Sequence, residues 1–179
     1  MSRISRAVGG SKSTLYTYFQ TKDELFAEFM TAEIARRVAL TFSVPAAAGN
    51  VEAALRTLGR LYVEMFSDPT VVALYRTVVQ ARHRFPEIGR RFMEAGPRTA
   101  IELLSRYLTK AAEAKALSIP DVERAAEQFL ALCQGYLVQD LLLGMAQAPN
   151  RGEIEERVDV ALDAFFAIYP PSEPQVRPQ

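Results

Sequence analysis

The chain has 179 residues, 49% of them apolar and 23% charged, with a formal net charge of zero. That is enough chain for one or two small domains with a sizeable core, and the charge balance alone argues for no partner. A single cysteine, Cys133, excludes an intramolecular disulfide and suits a reducing, cytoplasmic setting; no apolar run reaches the roughly eighteen residues of a membrane span, and the N-terminus lacks an apolar signal region.

From Met1 to Lys22 the chain carries Arg3, Arg6, Lys12 and Lys22 and no acid, and acids begin at Asp23. A basic head on a neutral body is the footprint of a small nucleic-acid-binding unit, although charge alone leaves a chance cluster on a solvated face equally open. Within the head, Gly9-Gly10 marks a turn between a helix fragment holding Ile4 and a short helix over Lys12–Phe19. On that helix Leu15 and Phe19 lie four apart and share a buried face. Lys12, Ser13, Thr14 and Tyr16 then point elsewhere: small hydroxyls near the helix start approach base edges, while lysine and tyrosine reach phosphates.

Beyond the head every segment has helical period and none alternates like a strand, so the fold class is all-α. Thr21-Lys22-Asp23-Glu24 forms a capping box for a long helix from Lys22 to about Phe42. Pro45–Asn50 is a break. Helices follow over about Val51–Phe66, Pro69–Arg84 (opened by Asp68-Pro69), Pro86–Ala116 with an interruption near Gly96-Pro97, Asp121–Gly144, and Glu153–Ile168 after Asn150. Pro170–Gln179, with four prolines, is expected to be disordered.

The run from Gly9 to Phe26, with Ser11-Lys12-Ser13-Thr14-Leu15-Tyr16-Thr17-Tyr18-Phe19 at its centre and Lys22-Asp23-Glu24-Leu25 after it, resembles the signature of the tetracycline-repressor (TetR) family. Two positions depart from the family pattern. Gly10 stands where valine is usual, which removes an apolar anchor of the turn; Ser13 stands where glycine is common. The resemblance implies DNA contacts by Ser11, Lys12, Ser13, Thr14, Tyr16, Tyr18 and Lys22. Packing of Tyr16 and Tyr18 on the next helix is the alternative for those two. The resemblance also implies that a further helix of the head precedes Met1, so this form is expected to start at an internal methionine and to bind DNA weakly.

Further on, Phe66-Ser67-Asp68-Pro69, Leu74-Tyr75-Arg76 and Arg84-Phe85-Pro86-Glu87-Ile88 look like the subgroup with an AefR-like effector domain. The expected organisation is a helix-turn-helix domain with connecting helix over 1–45, a ligand-binding and dimerisation bundle over 46–169, and the tail over 170–179. Large side chains in this region are candidates for an effector pocket: Phe66, Tyr75, Val79, Phe92, Leu104, Tyr107, Phe129, Cys133 and Tyr136; Tyr75 and Val79 share a helix face, as do Leu104, Tyr107 and Leu108, and Phe129, Cys133 and Tyr136. Core packing is the competing reading for each of them. The tyrosines stand out because a buried hydroxyl needs a partner.

The last two helices are apolar on more than one face, which points to burial against a second subunit, with Ala131 and Gly135 permitting close helix approach. The resemblance implies the same: a homodimer through the last two helices, matched to a palindromic double-stranded operator and controlled by a small apolar or aromatic effector. One histidine, one cysteine, no metal-ligand spacing and no glycine-rich phosphate loop argue against an enzyme and give no reason to expect a cofactor or metal. The alternative function is a dimeric helical small-molecule-binding module that has lost DNA binding with its first helix.

Overall fold

The computed structural model describes residues 21–43 and 50–171. The short helix over Lys12–Phe19, the residues Ser11, Lys12, Ser13, Thr14, Tyr16 and Tyr18, and the tail beyond 171 lie outside the described residues. The described residues form α-helices joined by short turns, with one isolated bridge between Leu117 and Pro171 and no strand. We label them α1 (Lys22–Thr41), α2 (Val51–Ser67), α3 (Pro69–Ala81), α4 (Glu87–Met93), α5 (Thr99–Glu113), α6 (Val122–Gln134), α7 (Leu137–Leu143) and α8 (Arg151–Ile168). A π-helical segment, Glu94–Arg98, joins α4 to α5.

Local chemistry fixes most of the starts. The first N–H groups of a helix have no internal partner and need an acceptor. Thr21 accepts from the Glu24 N–H at 3.0 Å, Asn50 from Ala53 at 2.9 Å, and Asp121 from Arg124 at 3.0 Å. Asp68 accepts from Thr70 and Val71 and is followed by Pro69, whose missing N–H costs nothing at the first helical position. Asn150 and Glu153 form the full reciprocal box at α8.

Two interruptions differ in kind from the sequence expectation. Near Gly96-Pro97 the helix does not stop. Pro97 cannot donate to the carbonyl four residues back, so the turn widens to π geometry and the chain continues into α5. The Thr99 hydroxyl donates to the Glu94 carbonyl at 2.8 Å within this widened turn. The expected helix from Asp121 to Gly144, by contrast, is two helices. Gly135 adopts φ +48°, a conformation that L side chains rarely enter, and the axis breaks there. Gly135 therefore ends α6. At the C-terminus, Pro170 and Pro171 are ordered against the α5–α6 connection: the Ser118 N–H donates to the Pro170 carbonyl at 3.4 Å, beside the Leu117–Pro171 bridge.

The helices enclose two apolar cores rather than one. The larger is built by α2, α5, α6 and α8 around Leu55, Val63, Leu104, Leu108, Phe129, Cys133, Val158 and Phe165. Phe129 and Phe165 meet edge to face at 5.3 Å. The smaller is built by α1, α3 and α4 around Met30, Ile34, Val71, Leu74, Val78, Ile88 and Phe92. Met65 packs against both. Helix α1 also belongs to both, with Ile34 in the smaller core and Val38 one turn later in the larger.

Candidate functional site

The seam between the two cores is not completely filled. A cavity opens there, walled by Ile34 and Val38 of α1, Tyr62, Met65 and Phe66 of α2, Tyr75 of α3, Phe92 of α4, Ala100 of α5, and Val138 and Leu141 of α7. Its space, mouth included, is about 560 Å³, but only about 60 Å³ admits the centre of a water molecule. The cavity is therefore a narrow slot that a ligand must widen, since ligand sites generally span about 300–1,000 Å³. Two of its walls can give. Met65 is unbranched and adapts its shape easily. Helix α7 is short, lies between Gly135 and Gly144, and is tied down by Arg76 of α3, whose guanidinium donates to the Leu142 and Leu141 carbonyls at 3.0 and 2.5 Å.

The slot is lined almost entirely by carbon. Rings Tyr62 and Phe66 meet edge to face at 5.3 Å, as do Tyr75 and Phe92. The polar groups are the Tyr62 and Tyr75 hydroxyls and the Gln134 side chain. The Gln134 amide donates to the Tyr62 hydroxyl. Burial pushes the Tyr62 phenol above its ordinary value, against the opposing effect of that hydrogen bond, so it stays protonated at neutral pH.

The sequence candidates distribute unevenly around this geometry. Phe66, Tyr75 and Phe92 line the slot. Leu104, Phe129 and Cys133 sit in the larger core, away from it, and Tyr107 packs partly buried against that core. Burial raises the Cys133 thiol to about 12, which leaves it inert. Val79 and Tyr136 are on the surface, 49% and 82% exposed. Val79 follows the buried Val78 on α3 and so faces outward, while Tyr136 sits in the break after Gly135, where helical periodicity no longer applies. Sequence reasoning passed over Tyr62 and Gln134. The usable signal was Tyr62, a tyrosine inside a strongly apolar helical run, which needs a buried partner.

The slot connects directly to the helix that leaves the head. α1 packs against α2, α4, α5 and the π segment. At the π segment the approach is too close for any side chain but hydrogen: a Cβ on Gly96 would lie 2.9 Å from Ile34 Cγ1. Arg37 fixes the far end of α1, pairing with Glu33 at 2.7 Å and with Asp68, the cap of α3, at 3.2 Å. Hydrogen bonds from Arg36 and Arg37 hold the Glu33 carboxyl at about 2. For Asp68, burial pushes the carboxyl up, but hydrogen bonds from Thr70 and Val71 and the Arg37 charge outweigh it, and the carboxyl lies below its ordinary value. Lys22, the one predicted DNA contact among the described residues, is exposed at the first turn of α1.

Among the described residues no helix is long and apolar enough to cross a membrane, and no cluster of His, Cys, Asp or Glu could hold a metal ion.

Two family profiles match the chain: bacterial regulatory proteins of the tetR family over residues 1–29, and the C-terminal domain of AefR-like transcriptional repressors over residues 53–171. No curated protein sequence matches it. Among solved structures, the chain is similar to the flavonoid-responsive regulator FrrA, at 34% identity and a TM-score of 0.79, over 94% of this chain and 85% of that one. A TetR-family regulator from Mesorhizobium loti shares the fold at 21% identity and a TM-score of 0.82, over 93% of this chain and 84% of that one. Another from Agrobacterium tumefaciens does so at 23% and 0.70, over 96% and 84%. These relatives are regulators and not enzymes. The chain belongs to the TetR family of DNA-binding, ligand-responsive transcriptional regulators, with an AefR-like effector domain.

Proposed function

We propose that the protein is a homodimeric repressor that grips a palindromic operator through its head and releases it when a small apolar or aromatic effector enters the slot. The observation that carries this reading is the double membership of α1. Ile34 and Val38 belong to different cores and both line the slot. A ligand that wedges the cores apart must move α1, and α1 begins at Lys22, next to the recognition segment Ser11–Tyr18. Half-sites of an operator lie about 34–36 Å apart, so a few ångströms of spreading between two recognition helices weakens binding. That FrrA is a flavonoid-responsive regulator supports an aromatic effector.

The dimer in this reading pairs the outer faces of α6 and α8. Leu132 and Val160 are exposed there, Val160 at 64%, around a groove between the two helices. These apolar groups gain from cover by a second copy. The reaction to test is DNA binding. Anisotropy titrations with a duplex from the gene's own upstream region, at several salt concentrations, are expected to give a steeper salt dependence and higher affinity than a scrambled duplex. Equal affinity for both duplexes counts against a sequence-specific regulator and favours a ligand-binding module. Val160→Glu is expected to raise the monomer fraction in analytical ultracentrifugation; an unchanged dimer places the interface elsewhere.

A further inference from the structure

We propose that the effector is an uncharged aromatic hydroxyl compound, a phenol, whose hydroxyl sits on the Tyr62–Gln134 pair. This rests on the reading that the slot is the effector site, and it names the chemistry the site selects.

The absence of charge comes first. Apart from the two phenols, no ionisable side chain lines the slot. The cations nearby are engaged elsewhere: Arg76 on the carbonyls that end α7, and Arg157 on the backbone carbonyl of Gln134, which it reaches at 3.3 Å from α8. A carboxylate entering the slot would lose its hydration with no partner, and so would an ammonium. Next comes shape. A slot this narrow, bordered by the ring pairs Tyr62–Phe66 and Tyr75–Phe92, admits a flat molecule at less cost than a bulky one.

The hydrogen-bond inventory then selects a hydroxyl. Gln134 donates one N–H to the Tyr62 oxygen. This leaves the Tyr62 O–H proton and the second Gln134 N–H as donors and the Gln134 side-chain carbonyl oxygen, Oε1, as an acceptor. Turning the amide over changes which atoms pair but still leaves both a donor and an acceptor. A ligand hydroxyl can satisfy both at once. A ketone or ether can use only the donor, and it leaves the acceptor buried without a partner. Burial keeps Tyr62 protonated, so the donor persists across the physiological range. Tyr62 and Gln134 thus act as specificity residues, while the rings supply affinity.

The test uses the full chain and four probes: 2-naphthol, 2-methoxynaphthalene, naphthalene and 2-naphthoate. The protein has no tryptophan, so naphthalene fluorescence anisotropy reports binding directly. 2-Naphthol is expected to bind about tenfold more tightly than 2-methoxynaphthalene, the equivalent of about 1.4 kcal/mol, and 2-naphthoate is expected not to bind. Tyr62→Phe and Gln134→Leu should each abolish the preference for 2-naphthol over 2-methoxynaphthalene. Val138→Phe, which fills the slot from the α7 wall, should weaken all three neutral probes. If the neutral probes bind equally and Val138→Phe weakens them all, the slot is the site but hydroxyl recognition is refuted. If Val138→Phe leaves binding unchanged, or if no probe binds, both readings fail.

Discussion

Gly96 and Ile34 meet where the helix from the head touches the effector domain. With a Cβ predicted at 2.9 Å from Ile34 Cγ1, Gly96→Ala forces one of the two to move. We expect a loss of about 1–3 kcal/mol, the usual cost of overpacking a filled core, read as a lower melting temperature. A melting temperature at or above wild type would mean that α1 is not held there. Cys133 offers a second test at this scale. With its thiol raised to about 12, it is expected to resist iodoacetamide at pH 8 in the native protein and to react once the chain is unfolded; rapid native alkylation would contradict its burial. The same scale explains what the sequence could and could not tell. Phe66, Tyr75 and Phe92 were legible as large side chains in the effector region, and the packing of α2, α3 and α4 brings them together at the slot. Tyr62 and Gln134 were not, because their pairing joins residues 72 positions apart, and no local pattern encodes that.

At the scale of elements, the helix starts were legible and some of the breaks were not. Thr21, Asp68, Asp121 and Asn150 act within their own first turn, so sequence spacing is sufficient to find them. Gly135 lies in a run whose apolar period continues on both sides, and a glycine there reads equally well as a close contact or a stop. Helix α7, freed by that stop, is held to α3 through Arg76. Arg76→Ala is expected to accelerate amide exchange in Leu137–Leu143 more than in α6, because it removes the side-chain cap on the α7 carbonyls at Leu141 and Leu142. Uniform exchange in both helices would rule out the latch. Helix α1 depends on pH in a stated direction. The Glu33 carboxyl is held at about 2, below its ordinary 4.5. Its contribution is therefore fully present above about pH 4.5 and is lost as pH falls toward 2. Glu33→Gln should flatten the fall in melting temperature across that window; an unaltered slope would show that the Arg36 and Arg37 pairing contributes nothing to folding.

For the whole molecule, the all-helical class was legible from periodicity and caps, and the family from the Gly9–Phe26 run. What periodicity could not supply was the division of the body into two cores. That division depends on which helices pack together, and Met65 and α1 join both. In the proposed mechanism that division also supplies the moving part. A close-packed core resists deformation and shifts as a unit, whereas two cores with a slot at their seam can be spread by a ligand that fits it. Such a ligand shifts the DNA-binding equilibrium only by its differential affinity for the two arrangements.

The most direct test is to follow the anisotropy of the labelled upstream duplex, bound by the protein, as 2-naphthol is added to saturation of its own binding signal. The account predicts that DNA affinity falls as the slot fills, and that Val138→Phe abolishes the dependence on naphthol. Saturation of the slot with no change in DNA affinity would contradict it, because α1 would then line the slot without carrying its state to the head.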